Sequence, residues 1–118
     1  MRQIEQLYKN DFGMAFYWKN RDEVVSDKVQ LVFKETGFHF TVAELDYFIG
    51  LIDETASKNH CCDDCKIKHQ CTRFLLRTPC PQIDLAVSMQ ELDAIKDLVE
   101  GTLFKINLQE YLLGIGRN

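Results

Sequence analysis

The chain has 118 residues, of which 46% are hydrophobic and 27% charged, and carries a formal net charge of -4. Those proportions exclude a disordered, fibrous or low-complexity chain and fit one domain, long enough to bury roughly two-thirds of the surface its unfolded form exposes. The acidic balance argues against nucleic acid as a partner, because the basic group Lys58, Lys66, Lys68 and Arg73 has Asp63 and Asp64 inside it and reads as a solvated loop.

No apolar run reaches the length of a signal peptide or of a membrane span, so a cytoplasmic protein with no membrane partner is expected. Ile4 to Tyr8, the turn residues Asn10-Asp11-Phe12-Gly13, and Met14 to Trp18 predict an opening hairpin. Lys19 to Lys28 is polar except for Val24 and Val25 and predicts a loop. Val29-Gln30-Leu31-Val32-Phe33 and Phe38-His39-Phe40 alternate, with a turn expected at Thr36-Gly37 and His39 facing away from its two phenylalanines.

Thr41-Val42-Ala43-Glu44 has the form of a capping box, in which the threonine hydroxyl and the glutamate satisfy each other's backbone amides at a helix start. The apolar stripe Leu45, Phe48, Ile49, Leu51 and Ile52 carries that helix to about Ala56. After a cysteine-rich connector, Arg73 to Arg77 predicts a strand that Thr78-Pro79-Cys80-Pro81 breaks. Ile83 to Val87 alternates, and Ser88-Met89-Gln90-Glu91 is a second capping box. The helix it opens carries Leu92, Ile95, Leu98 and Val99 and is expected to stop at Gly101. Leu108, Tyr111, Leu112 and Ile115 predict a short C-terminal helix docked on the core, with Gly114 and Gly116 releasing the chain.

Phe38 to Asp46 and Leu85 to Asp93 agree in pattern and cap and share Glu-Leu-Asp; the match continues through Leu51-Ile52-Asp53 and Leu98-Val99-Glu100 to Thr55 and Thr102. The expected fold is therefore a single α+β domain over 1–118. It is a mostly antiparallel sheet with two main helices on one face, a duplicated strand-strand-helix unit and the short C-terminal helix. The halves are 1–56 and 73–118, joined by the connector 57–72. Any capped amphipathic helix after a strand shares part of this pattern, so duplication stands beside a generic origin. On Arg77 to Pro81, Ile83 to Ser88, Glu91-Leu92 and Val29 to Leu45 the chain resembles a family of short, uncharacterised bacterial proteins, from about Leu7 to the end of the second helix. The resemblance implies a fold and no activity. Members often carry a Cys-x-x-Cys pair just before the third strand; Trp18 to Arg21 here has no cysteine, so no metal role transfers.

Four of the five cysteines and two of the three histidines lie between His60 and Cys71. In a reducing cytosol, clustered cysteines are metal ligands, redox thiols or free thiols. Cys62-x-x-Cys65 is the spacing at which one turn aims two thiolates at one ion. His69 or Cys71 together with Cys80 would complete a zinc tetrad, with His60 and Cys61 as lesser candidates. Zinc is the one cofactor expected. Cys62, Cys65 and Cys71 also resemble the start of an iron-sulfur motif, but Leu75 stands where its fourth cysteine belongs. A Cys62/Cys65 redox pair lacks the βαβ setting that activates such thiols.

No nucleophile, base and orienting acid recur at a catalytic spacing, and Glu44, Asp46, Glu91 and Asp93 suit the positive ends of helices. The leading expectation is a non-catalytic binding module with a structural zinc. Its partner is an unknown protein or a second copy, the latter through Phe16, Tyr17 and Trp18. A thiol-redox or iron-sulfur, metal-dependent enzyme component using Cys62 and Cys65 is the alternative.

Overall fold

The computed structural model of the chain describes residues 3–20, 23–58 and 74–116. Strands β1 (Gln3–Lys9), β2 (Gly13–Asn20), β3 (Glu23–Phe33) and β4 (Thr36–Phe40) form an antiparallel meander, followed by helix α1 (Val42–Lys58). A separate hairpin, β5 (Phe74–Arg77) and β6 (Asp84–Val87), leads into helix α2 (Met89–Gly116). The result is an α+β domain in which both helices cover one face of the larger sheet. Leu7, Ala15, Tyr17, Val29, Leu31, Phe33, Phe38 and Phe40 of that face are buried with Leu45, Phe48, Ile52, Leu92, Ile95, Leu98 and Val99 of the helices.

Asn10 closes the first hairpin and ties it to α2. Its side-chain carbonyl accepts from the Phe12 and Gly13 amides, each at 2.9 Å, while its amide group donates to the Ala94 carbonyl at 3.0 Å and to Asp97 Oδ2 at 2.9 Å. All the hydrogen-bonding capacity of one asparagine is used. Gly13 is required beside it, since a Cβ there would strike the Val32 carbonyl and sit 2.8 Å from Phe33 Cβ and 3.0 Å from Leu98 Cδ2.

A bulge between Gln6 and Tyr8 lets two consecutive residues face the helices. Leu7 enters the core, and the Tyr8 ring lies against Gly101, where a Cβ would fall 2.5–2.6 Å from its ring atoms. The Tyr8 hydroxyl donates to Asp97 at 2.9 and 3.1 Å. Gly101 therefore does not end the helix. It costs about 1 kcal/mol of helix propensity relative to alanine and gives Tyr8 its seat. The helix runs unbroken over 28 residues to Gly116, so the separate short C-terminal helix is replaced by the second half of α2.

Three further expectations are corrected. Lys19 to Lys28 is largely strand, because Trp18, Lys19 and Asn20 pair with Val25, Val24 and Glu23, and a register shift between Phe16 and Trp18 absorbs the irregular stretch of β3. The β3–β4 turn is Lys34-Glu35 rather than Thr36-Gly37, with φ of 50° and 62°. Both residues occupy the left-handed region, although neither is glycine. The Lys34 ammonium leaves this turn to donate to the Ala86 carbonyl at 2.8 Å and to pair with Glu91 at 3.3 Å. The strands also form two sheets and not one. The second hairpin joins the first sheet through this side chain and through the packing of β5 on α1, not through a shared ladder.

The two helices begin alike. The Thr41 amide donates to Glu44 Oε1 at 2.9 Å and the Glu44 amide to Thr41 Oγ1 at 3.2 Å; Ser88 and Glu91 repeat the exchange at 3.0 and 3.1 Å. Further along, buried Thr55 and Thr102 donate to the carbonyls of Leu51 and Leu98 at 2.8 and 2.6 Å. Leu45, Phe48, Leu51 and Ile52 of α1 thus hold the same places relative to their cap as Leu92, Ile95, Leu98 and Val99 of α2, and all eight are buried.

Asn10→Ala is expected to cost about 2–3 kcal/mol in urea unfolding, since four hydrogen bonds go at once. Gly101→Ala should destabilise the native chain by displacing Tyr8, yet stabilise a Tyr8→Ala background by about 1 kcal/mol. A double-mutant cycle reads this change of sign directly.

Candidate functional site

Of the residues singled out for metal or thiol chemistry, His60, Cys61, Cys62, Cys65, His69 and Cys71 lie outside the described residues. Cys80 lies within them, in the turn between β5 and β6. Buried Thr78 shapes this turn: its hydroxyl accepts from the Cys80 amide at 3.2 Å and stands 2.9 and 2.8 Å from the carbonyls of Cys80 and Ile83. The half-buried thiol approaches Gln82 Oε1 at 3.6 Å. Among the described residues no group of three or more His, Cys, Asp or Glu is arranged to hold a metal.

The ends of the connector are well placed. α1 finishes at Lys58, which pairs with Glu54 at 2.7 Å, and the chain re-enters at Phe74 in β5, a strand packed on α1. The Lys58 hydrogen bond and charge hold the Glu54 carboxyl below the usual carboxylate range, and Arg77 adds a smaller pull from the turn end of β5. Arg77 ends β5, and the turn that carries Cys80 follows it.

His39 is exposed on the open sheet face, opposite Phe38 and Phe40, as its alternation predicts. Glu44 and Glu91 serve as cap partners, and Asp46 and Asp93 are exposed. The aromatic first hairpin does not form one surface. Tyr17 points into the core, while Phe16 lies on the opposite face and is buried beneath Trp18, whose ring meets it edge-on at 5.0 Å. Successive strand residues face opposite ways, so three in a row cannot share a patch.

A cleft lined by Asn10, Asp11, Phe12, Gln90, Glu91, Ala94 and Asp97 is acidic, but its geometry serves the fold. Asp97 is held by Tyr8 and Asn10, and Glu91 by the Ser88 amide and Lys34. The hydrogen bond to Asp97, with partial burial and the carboxylate's charge, raises the Tyr8 phenol above its usual value. Burial, and then the charge of Glu110, raise that of Tyr17.

The prominent exposed feature is on α2. Phe104, Leu108, Tyr111 and Leu112 are 68%, 38%, 65% and 56% exposed, while Thr102 and Ile106 of the same stretch are buried. At 100° per residue the four fall on one side and the buried pair on the other. Tyr111 and Leu112 were legible as apolar positions at helical spacing. Their orientation was not, because the sequence placed them on a separate helix free to turn its apolar side inward.

No family model matches this chain, and neither does any curated protein or solved structure.

The raised phenol gives a signed pH dependence. The Tyr8–Asp97 hydrogen bond contributes stability in full below the free tyrosine value of about 10, and this is lost as the pH rises through the higher folded value. A tyrosinate absorbance titration should show late steps from Tyr8 and Tyr17, and Tyr8→Phe should remove one of the two.

Proposed function

We propose that the chain is a non-catalytic interaction module that presents the outer side of α2, with a connector that holds one structural zinc. The observation that carries the first part is the second half of α2 itself. A helix with apolar residues all round belongs in an interior, yet Phe104, Leu108, Tyr111 and Leu112 face solvent. Upstream on the same side stand Asp93, Asp97 and Glu100, so the surface changes abruptly from acidic to apolar. Contiguous exposed apolar surface of this kind marks an interaction site.

The zinc is supported by the ligand types and by the anchoring of the connector. Cys62 and Cys65 supply the pair, and His69 or Cys71 with Cys80 completes four ligands, with His60 and Cys61 in reserve. Cys80 lies in the turn after β5, a strand packed on α1, so the elements on both flanks of the connector pack together. A zinc in such a loop supplies binding energy on the order of 10–16 kcal/mol in small peptides, comparable with a whole domain's stability. Thiolate ligands of this kind suit a reducing compartment, which supports a cytoplasmic setting. The matched caps, threonine bonds and buried positions of α1 and α2 support an origin by duplication of a strand-strand-helix unit.

Two outcomes test the proposal. Chain purified anaerobically without chelator should contain about one zinc and show no visible colour; Cys62→Ser with Cys65→Ser should remove it, and iron with a brown chromophore would contradict it. In dilute solution Phe104→Ser and Leu108→Ser should shift unfolding by less than about 0.5 kcal/mol, whereas buried Ile106→Ala should cost about 2–5 kcal/mol. Large losses from the first pair would mean that the stripe is core and would remove the proposed surface.

A further inference from the structure

Within the stripe the residues follow one another at intervals of four, three and one, the four-three step being the repeat by which one helix packs along another. Phe104 and Tyr111 are bulky, two-thirds exposed and one heptad apart, with Leu108 between them. Lys105 and Glu110 lie to either side, so no charge interrupts the line from 104 to 112. Nothing in such a line calls for a partner of complementary charge. Its ideal complement is another apolar helix side of the same length.

We infer that the occupant is a second copy of this chain, with the two α2 helices packed antiparallel about Leu108; this rests on the interaction-module reading. A two-fold interface must be self-complementary. Centred on Leu108, the antiparallel register sets Phe104 against Leu112 of the partner subunit and Leu108 against its own counterpart, one large ring to one smaller side chain. The direction follows from charge. Parallel helices would bring the acidic sides of both copies together at Asp93, Asp97 and Glu100, and like charges across an interface are costly. Antiparallel helices carry the acidic halves apart: Glu100 falls opposite Gly116 of the partner subunit, at the end of that helix, and Asp97 and Asp93 lie past it.

Area sets the strength. With roughly 200 Å² for each large side chain, these exposures leave about 400–500 Å² of apolar surface per copy. A stable dimer buries about 800 Å² on each side. The stripe supplies over half of this, and the flanking helix surface at Lys105 and Asn107 adds to it. The interface therefore falls in the small, reversible class, and the dimer should dissociate on dilution.

Sedimentation velocity over a wide range of chain concentrations tests this. The native chain should pass from monomer to dimer as concentration rises, and Leu108→Glu should stay monomeric with an unchanged unfolding midpoint in dilute solution. Phe104→Glu and Leu112→Lys should each be monomeric alone, and an equimolar mixture should recover dimer, because the antiparallel register sets 104 against 112. A native chain that is monomeric throughout overturns the inference, as does a dimer indifferent to Leu108→Glu or a mixture that fails to reassociate. Failure of this kind leaves the interaction surface standing, since that falls only if Phe104→Ser and Leu108→Ser destabilise the monomer.

Discussion

The contact between the Tyr8 ring and Gly101 governs both the shape and the outward chemistry of this chain. A glycine in mid-helix is ordinarily a weakness and often a terminus. Here a bulge in β1 turns Tyr8 toward the helices, the ring occupies the space of the missing Cβ, and Asp97, one turn earlier, accepts a hydrogen bond from the phenol. Asn10 bonds the same carboxylate and the Ala94 carbonyl, so the first hairpin grips α2 at several points over two turns. The helix runs unbroken where its sequence invites a break.

Continuity then fixes phase. Leu92, Ile95, Leu98, Val99, Thr102 and Ile106 are buried along one side of α2, and a rigid helix cannot rotate its second half independently of its first. Phe104, Leu108, Tyr111 and Leu112 are thereby committed to the outside. Had the chain broken at Gly101, a free terminal segment could have turned the same residues inward against the sheet. The exposed stripe is thus a consequence of the latch, and the proposed association follows from the stripe.

The regular parts of the fold were legible because local chemistry and tertiary structure agree. Both capping boxes form with the predicted exchange of hydrogen bonds, and alternation correctly gives the inward sides of β3 and β4, including the outward His39. What was not legible depends on partners distant in sequence. Lys34 and Glu35 adopt left-handed backbone without glycine, in a turn whose lysine is bound to β6 and α2 more than fifty positions away. Gly101 is decided by Tyr8. The aromatic run Phe16 to Trp18 suggested a surface until strand geometry split it between two faces. Of the cysteine site, Cys80 alone is described, and the proposed zinc set stands on spacing and on the anchoring of the connector.

The most direct test of this account is amide hydrogen exchange across Gly101 in dilute solution, where α2 has no partner copy. An unbroken helix latched by Tyr8 predicts that the amides of Thr102 to Lys105 are protected to the same degree as those of Ile95 to Val99. Tyr8→Ala should lower protection on the C-terminal side first. Rapid exchange from Gly101 to Lys105 in the native chain would show a break at that position, and with it the phase argument that exposes Phe104, Leu108, Tyr111 and Leu112 would fail.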